Sequence, residues 1–303
     1  MKPSLRQLEY IVEVANTGRI SLAAEALNVS QPSLSAQLAE VEADLGVRLF
    51  HRGRSGSVIT PAGTEIVRRA RLILREVQDL RAAAKGGELF QGRLRLGVLP
   101  TIGPYLLPNV VKRLHVENPE LRLILREEST RDLNDGLRSG RLDAIISTPE
   151  DHASGQAEHL FDELLWAAVP NDHILAQGDG PLGIKDLRGQ TLLTLGSGHR
   201  LHHIVAGIAT RAGGRVSDEY EGTSLDAVRL MAASGAGVAI LPSIYAATEG
   251  RRGMDLILRR IEDRNARRSI ALIQAIAPEP ILGSAELANI MREEAETILV
   301  PFE

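Results

Sequence analysis

The stretch AAEALNVSQPSLSAQLAEVEADLGVRLFHR, residues 23–52, decides the fold of the amino-terminal part of this chain. Residues 28–30 form a predicted tight turn between two segments whose aliphatic side chains recur at helical spacing. After the turn, Ser30 is placed as a helix N-cap and Pro32 as an early helical residue, where a missing backbone N–H costs nothing. The predicted helix ends at Gly46, and its buried apolar stripe is Leu34, Leu38, Val41 and Leu45.

Two further helices are predicted before this one. The first ends at Thr17 and contains Leu5, Leu8, Ile11, Val12 and Ala15; the second, capped by Ser21, covers residues 22–27. A short helix, a three-residue turn and a second helix form the helix-turn-helix pattern, whose second helix enters the major groove of DNA. Short hydroxyl and amide side chains reach base edges and phosphates there. The candidate DNA contacts on this helix are Ser30, Gln31, Pro32, Ser33, Ser35 and Gln37.

The segment VRLFHRGRSGSVITPAG, residues 47–63, predicts a β-hairpin wing after the helices. Arg52 and Arg54 are expected at the tip of the wing, where they would contact a phosphate or the minor groove. The alternative interpretation is a solvated polar helix face and a solvated hairpin without a nucleic-acid partner. The succession of turn, proline, apolar stripe and hairpin favours DNA binding.

Residues 23–52 resemble the winged helix-turn-helix signature of LysR-type transcriptional regulators, A-x-x-L-x-x-S-Q-P-x-L-S followed by L-G-x-x-L-F-x-R. The chain departs from the family pattern at Val41, where leucine is usual, and at Ala36, which is expected to lack one phosphate contact. The resemblance implies a regulator that binds promoter DNA and works with RNA polymerase. It also implies a homodimer that assembles into a homotetramer.

Residues 61–85 predict one long helix. Its apolar residues fall at alternating steps of four and three, a spacing typical of two helices that pair; they are Ile66, Ala70, Ile73, Val77, Leu80 and Ala84. The alternative is packing against the core of the same chain. In LysR-type regulators this segment is the dimerising linker helix, and residues 86–87, both glycine, would form a hinge.

The second half of the chain alternates predicted strands and helices, which indicates a parallel α/β sheet. Strands are predicted at residues 92–100, 121–128, 143–148, 161–170, 191–196, 216–221, 237–242 and 269–275. Helices are predicted to begin near Pro104, Ser129, His199 and Ser224, with a closing helix at residues 285–299. This order resembles the two-lobed, periplasmic-binding-protein-like effector domain of LysR-type regulators.

The predicted organisation is a winged helix-turn-helix domain at 1–60, a linker helix and hinge at 61–87, and an effector-binding domain at 88–303. Within the last, lobe I covers about residues 92–163 and 269–303, and lobe II covers about residues 164–268. The overall fold class is α/β.

Hydroxyl side chains follow several of the predicted strands, where ligands bind in open α/β sheets. Each is either a helix N-cap or next to one, and capping alone is the alternative interpretation. Together they predict a pocket between the lobes for an anion or a small polar molecule. The candidate effector-binding residues are Thr101, Ser129, Thr130, Ser147, Thr148, Ser197, His199, Arg200, His203, Thr223 and Ser224.

Residues 101–108, 160–165, 196–214 and 223–242 resemble the OxyR-like, peroxide-sensing branch of the LysR family. The chain has no cysteine, and Arg200 and Ala209 stand where that branch carries its redox pair, so a thiol–disulfide switch is excluded. The cation of Arg200 favours an anionic effector. Two alternatives stay open: a metal at the i, i+4 pair His199 and His203, or oxidation of Met231 or Met254.

Composition places weak limits on function. The chain of 303 residues carries a net charge of −4, and residues 1–90 hold 12 basic against 10 acidic side chains. No signal peptide or membrane span is predicted, which favours the cytoplasm. The nucleophile, phosphate-loop and zinc signatures of common enzymes are absent, so an enzyme or a solute-binding module is disfavoured and no cofactor is expected.

Overall fold

The computed structural model of the protein describes residues 3–53, 56–83, 89–250, 256–276, 281 and 283–302. The chain separates into two compact units, one of residues 1–92 with 135–142, the other of residues 93–134 with 143–303. Within the described ranges, no helix combines the length and the apolar character that crossing a membrane requires.

The amino-terminal unit is a winged helix-turn-helix. Its elements are α1 (Leu5–Thr17), α2 (Ile20–Ala26), α3 (Gln31–Leu45), β1 (Phe50–Gly53), β2 (Gly56–Ile59) and α4 (Pro61–Ala83). The predicted α3 is confirmed: the Ser30 hydroxyl accepts a hydrogen bond from the Ser33 N–H at 3.3 Å, and Gly46 ends the helix with a φ of 68°.

The prediction for α2 was wrong at its start. Gly18 ends α1 in the left-handed conformation, and the chain turns at once, so that Arg19 with its extended backbone is the N-cap. The helix therefore begins at Ile20, and Ser21 lies inside it and does not cap it.

The core of this unit is formed by apolar side chains from α1, α3, the wing and α4. It includes Leu8, Ile11, Val14, Leu34, Leu38, Val41, Leu49, Phe50, Val67 and Ala70. Leu45, expected in the buried stripe, is only partly buried against this cluster. Since Val67 and Ala70 are buried here, the first turns of α4 are part of the winged helix and not a free stalk.

Gly63, in the first turn of α4, is expected to tolerate no side chain. A Cβ at this position would overlap the carbonyl oxygen of Leu49, and the Gly63 N–H is fixed by a 2.9 Å hydrogen bond to the Thr60 hydroxyl. Overpacking of this kind costs about 1–3 kcal/mol. Gly63→Ala should therefore lower the stability of this unit, measured as faster amide hydrogen exchange in α1 and α3. Gly53→Ala, whose Cβ would have no neighbour closer than 4.0 Å, is the control; equal exchange in the two variants would contradict the prediction.

The remaining elements belong to the second unit, except that residues 135–138, at the end of the helix Thr130–Arg138, belong to the first. The strands of the second unit are β3 (Arg93–Val98), β4 (Arg122–Glu127), β5 (Ala144–Ser147), β6 (Gly155–Pro170), β7 (Thr191–Leu193), β8 (Arg215–Val216), β9 (Val238–Pro242), β10 (Leu256–Arg260) and β11 (Arg267–Ala275). The helices that follow α4 in the chain are α5 (Gly103–Glu117), α6 (Thr130–Arg138), α7 (Arg200–Ala212), α8 (Leu225–Ala233), α9 (Ser243–Thr248) and α10 (Ser284–Leu299).

The strands form one sheet in the order β4-β3-β5-β11-β6-β9-β7-β8, with β10 paired to β6. Strands β3, β4 and β5 are mutually parallel and define lobe I, and β7, β8 and β9 are parallel and define lobe II. The long strands β6 and β11 connect the two sets and pair antiparallel with them. The two-lobed α/β fold is thus confirmed, but the sheet is mixed, because both connecting strands run against their neighbours.

Two local predictions in lobe II differ from the structure. The strand expected at residues 216–221 is only Arg215–Val216, because the Tyr220 hydroxyl bonds the main chain of Ser224 and turns this segment toward α8. The short helix α9 and the strand β10 were not predicted. Helix α9 directly follows β9 and is buried, with Ile244 and Tyr245 fully inaccessible.

Candidate functional site

The amino-terminal end of α3 presents a polar, exposed surface. Ser30, Gln31, Pro32 and Ser33 are exposed, whereas Ser35 is partly buried. The buried stripe of Leu34 and Leu38 faces the core, so these polar side chains point away from it. This arrangement agrees with the prediction of a surface available to a duplex.

Gln37 is engaged inside its own unit, contrary to the expectation that it faces DNA. The side-chain amide of Gln7, which is buried, donates to Gln37 Oε1 at 3.1 Å and to Glu40 Oε2 at 3.2 Å. The Gln37 amide in turn donates to the same Glu40 oxygen at 3.3 Å. The side chain of Gln37 therefore links α3 to α1. The buried amide of Gln7 needs hydrogen-bond partners, and the sequence pattern does not reveal that Gln37 is one of them.

The wing forms as predicted by antiparallel pairing of β1 and β2, with Arg52 opposite Ser57. The Ser57 N–H donates to the Gly18 carbonyl at 2.8 Å and anchors the wing to the end of α1. The side chain of Arg52 and the whole of Arg54 lie outside the described residues.

The apolar seam of α4 divides into two parts. Ile66 and Ala70 pack into the core of their own unit, as the alternative interpretation expected. Further along the helix, Ile73 is 46% exposed and Leu80 is 71% exposed, with the partly buried Val77 between them. Among the described side chains of α4, this second part presents the apolar residues that a partner helix would cover, while Ala84 and the predicted hinge at 86–87 lie outside the described residues.

In the second unit, Thr101 belongs to a buried polar chain at the junction of the lobes. Its hydroxyl accepts a hydrogen bond from Arg268 Nη2 at 2.8 Å, and Arg268 Nε donates to Glu163 Oε2 at 2.6 Å. The other Glu163 oxygen accepts from the N–H of Ile244 at the start of α9. Burial raises the pKa of Glu163, while the contacts with Arg268 and Ile244 oppose that rise. Thr101 thus accepts a hydrogen bond from a side chain of the protein, and its role as an effector contact stays a prediction.

Several other predicted effector contacts are likewise engaged within the protein. The Ser129 hydroxyl caps α6 by bonding Asp132, and the Ser224 hydroxyl caps α8. The Ser147 hydroxyl bonds the ring of His152, which is buried, at 2.8 Å. Ser197 and Thr223 are exposed, and Ser197 donates its N–H to Glu221. For the two capping serines, capping was the correct interpretation.

Two threonine hydroxyls at strand ends are buried and have no hydrogen-bond partner within the described residues: those of Thr130 and Thr148. Thr148, at the end of β5, is only 1% exposed. An orphaned buried hydroxyl is costly, so each such group requires an explanation, and a ligand is one.

Thr148 lies in the wall of an open groove of about 660 Å³. One side of the groove is a stripe of α7 side chains at helical spacing, formed by Arg200, His203, Ile204, Gly207 and Arg211. The other residues that line the groove are Thr148, Glu150, Asp162, Arg264, Asn265, Arg267, Arg268 and Ser269. Of the residues predicted to bind effector, the groove brings together Thr148, Arg200 and His203.

Five arginines line this groove, and three of them have carboxylate partners. Arg200 bonds Asp151 at 3.4 Å, Arg211 bonds Asp263 at 2.9 Å, and Arg268 bonds Glu163. The guanidinium groups of Arg264 and Arg267 make no ion pair or hydrogen bond with the part of the chain that the structure describes. Both side chains are exposed, and they give one end of the groove its positive charge.

Residues 5–64 match the family described as "Bacterial regulatory helix-turn-helix protein, lysR family", and residues 87–275 match the "LysR substrate binding domain". The chain belongs to the LysR family of transcriptional regulators. It is 36% identical over 296 residues to the hydrogen peroxide-inducible genes activator of Pectobacterium carotovorum subsp. carotovorum, with 97% of each protein covered. It is also 36% identical to the DNA-binding transcriptional dual regulator OxyR of Escherichia coli K12, which covers 89% of this chain and 88% of that protein.

Solved structures of LysR-type regulators share this fold. A full-length OxyR variant from Pseudomonas aeruginosa gives a TM-score of 0.78 at 30% identity and covers 96% of this chain and 97% of its own. Full-length CbnR in complex with its target DNA gives a TM-score of 0.53 at 26% identity and covers 96% of this chain and 99% of its own. The predicted similarity to OxyR-like LysR regulators is confirmed, and the chain has no cysteine.

The groove residues that the sequence did not reveal in this LysR protein include four arginines, namely Arg211, Arg264, Arg267 and Arg268. Three of these four lie in RRIEDRNARRS, residues 259–269, a basic segment that a search for charge runs would have found. What the sequence does not reveal is that this segment lies opposite α7.

The histidines in and before α7 do not form a metal centre in the described part of the chain, where no group of three His, Cys, Asp or Glu side chains is placed to hold an ion. His199 is buried beside Arg268, and burial together with this cation lowers its pKa. His202 bonds the Leu195 carbonyl at 2.9 Å, while His203 is exposed in the groove. Of the two methionines considered for oxidation, Met231 packs partly buried on the lobe II core, and Met254 lies outside the described residues.

Proposed function

We propose that this LysR-type regulator binds duplex promoter DNA through α3 and the wing, and that a small anionic effector in the arginine-lined groove controls it. The exposed amino-terminal end of α3 supports the DNA contact, with Ser30, Gln31, Pro32 and Ser33 at the surface. The structure of the similar CbnR with its target DNA is consistent with this role. Ser35, Arg52 and Arg54 remain proposed DNA contacts.

The observation that carries the effector proposal is the groove itself, with its orphaned Thr148 hydroxyl and unpaired Arg264 and Arg267 guanidinium groups. Several relatives are named as hydrogen peroxide-inducible activators. A thiol-based response of that kind requires cysteine, so the effector here acts by binding and not through a disulfide.

The proposed assembly is a homodimer formed through the exposed part of the α4 seam, at Ile73, Val77 and Leu80, which associates further into a homotetramer. Two α3 helices then face successive turns of the duplex, as a dimeric helix-turn-helix protein requires. Effector binding would alter the arrangement of the dimers and the bend of the DNA, and thereby the contact with RNA polymerase.

A gel shift with the full chain and the region upstream of its own gene tests this proposal. We expect binding at low ionic strength that weakens as salt is raised, since phosphate contacts release counterions. A scrambled duplex of the same length is the control and should bind only at higher protein concentration. Failure of the full chain to bind any duplex at low salt would contradict the proposed function.

A further inference from the structure

We infer that the ligand of the groove carries a dianionic group, either a phosphate monoester or two neighbouring carboxylates, which Arg264 and Arg267 bind together. This inference rests on the proposed function and names the chemical class of its effector. Three observations support it: the hydrogen-bonded turn beside the two arginines, the pairing of the other arginines, and the chemistry of the opposite end of the groove.

Arg264 lies in a hydrogen-bonded turn between β10 and β11, and Arg267 is the first residue of β11. The Asn265 N–H donates to Asp263 Oδ1 at 2.8 Å, and the Ala266 N–H donates to the Asp263 carbonyl at 2.9 Å. Ala266 is fully buried, and its carbonyl accepts from the N–H of Leu165 on β6. Because Arg211 also bonds Asp263 at 2.9 Å, the turn is fixed to α7. Because hydrogen bonds already hold this main chain, little backbone freedom is lost when a ligand binds the two guanidinium groups.

Arg264 and Arg267 are the groove arginines that have no carboxylate partner among the described residues. Asp263 already accepts bonds from Arg211 and from the Asn265 N–H. Of the two acidic lining residues, Asp162 contacts the His159 ring at 3.2 Å, which is an ion pair only when that ring is protonated. The other, Glu150, follows β5 and adjoins Asp151, the partner of Arg200 at the opposite end of the α7 stripe. Two unpaired guanidinium groups match a group of two negative charges, with the fork geometry that phosphate and carboxylate oxygens accept.

The opposite end of the groove offers the Thr148 hydroxyl and the His203 ring, and among the described residues its one arginine, Arg200, is paired with Asp151. The Thr148 hydroxyl is buried there without a partner and is suited to a carbonyl or hydroxyl oxygen. Between Arg200 and Arg211 the α7 stripe extends for about 16 Å, at 1.5 Å per residue. Its middle, at Ile204 and Gly207, is apolar and partly buried. The ligand is therefore elongated, with a dianionic head at Arg264 and Arg267 and a neutral polar tail near Thr148.

Calorimetric titration of the full chain at constant ionic strength tests this inference. The dianionic probes are inorganic phosphate and succinate, and acetate is the monoanion of similar chemistry. We expect phosphate or succinate to bind at least tenfold more tightly than acetate. The double variant Arg264→Ala/Arg267→Ala should lose that advantage, whereas Arg188→Ala, which removes an exposed arginine outside the groove, should keep it. Thermal unfolding of both variants verifies that they are folded.

The outcomes separate this inference from the proposed function. If neither dianion binds better than acetate, or if the double variant binds the dianions as the unaltered chain does, the dianionic class is wrong. If the wild-type protein still shifts its upstream duplex in that case, the proposed function is retained. If the unaltered chain binds dianions in the groove but no duplex, the proposed function is wrong and the ligand class is retained.

Discussion

Replacing Arg268 with methionine is expected to lower the free energy of unfolding of the second unit by about 3–5 kcal/mol, because the substitution leaves the buried Glu163 carboxylate without its cation. The side chains of this pair are 2% and 0% exposed. Because both side chains are buried, the remaining charge is not exposed to bulk solvent, and the Thr101 hydroxyl loses its donor as well. Urea unfolding followed by the fluorescence of Trp166, the single tryptophan of the chain and a residue of β6, measures this unit directly.

Two comparisons make this prediction specific. Arg267→Met changes the neighbouring arginine, which is exposed, and should have little effect on unfolding. The double variant Arg268→Met/Glu163→Met removes both charges and should recover most of the lost stability, since paired removal of a buried ion pair is often neutral. A double variant as unstable as Arg268→Met alone would contradict this account.

The effect of Arg268→Met should also depend on pH. Burial raises the pKa of Glu163, and loss of the arginine raises it further. A carboxyl group whose folded pKa is above its unfolded value favours the folded state at low pH, and that contribution is lost as pH rises through the folded pKa. The stability deficit of the variant should therefore shrink at acidic pH and be largest at neutral pH. A deficit that does not change with pH would exclude an ionised Glu163 as its cause.

Gln31→Glu is expected to lower the affinity for the upstream duplex about 100-fold. Gln31 is exposed at the start of α3, where a bidentate base contact contributes about 1–3 kcal/mol. The substitution replaces an amide donor with a carboxylate and adds a negative charge beside the phosphates, and each 1.4 kcal/mol of lost binding free energy is about tenfold in affinity. A quantitative gel shift at fixed salt measures the change.

Gln177→Glu is the matched control for this variant, because it introduces the same charge at an exposed glutamine of the second unit. It should bind the duplex within about twofold of the unaltered chain, since a single distant surface charge is screened over about 10 Å. Equal affinity of the two variants would mean that α3 does not enter the DNA.

The helix-turn-helix was predictable because its signals are local. The Ser30 cap, Pro32 and the terminating Gly46 lie within one helix, and each acts on its own backbone. The engagement of Gln37 was not predictable, because its partner Gln7 is thirty residues away on another helix.

The groove was largely missed because, as with Gln7 and Gln37, the residues that form it are far apart in the sequence. Thr148, Arg264 and α7 meet only through the folding of β6 and β11 across both lobes, which no periodicity encodes. Of the hydroxyl residues predicted to bind effector, some cap helices and one lines the groove. The sequence does not separate these cases, because a capping serine and a ligand-binding threonine have the same sequence context. The structure separates them: the Ser129 and Ser224 hydroxyls are satisfied within their own turns, and the Thr148 hydroxyl is not.

Strand β11 has a mechanical consequence, since its first two residues, Arg267 and Arg268, are joined by one peptide group. Arg267 belongs to the proposed anion site, and Arg268, next to it, holds Thr101 and Glu163. A ligand that draws the main chain of Arg267 toward α7 is expected to displace the Arg268 guanidinium through the shared peptide. Occupancy of the groove would then be communicated to both lobes by one backbone segment, without a relay of side chains.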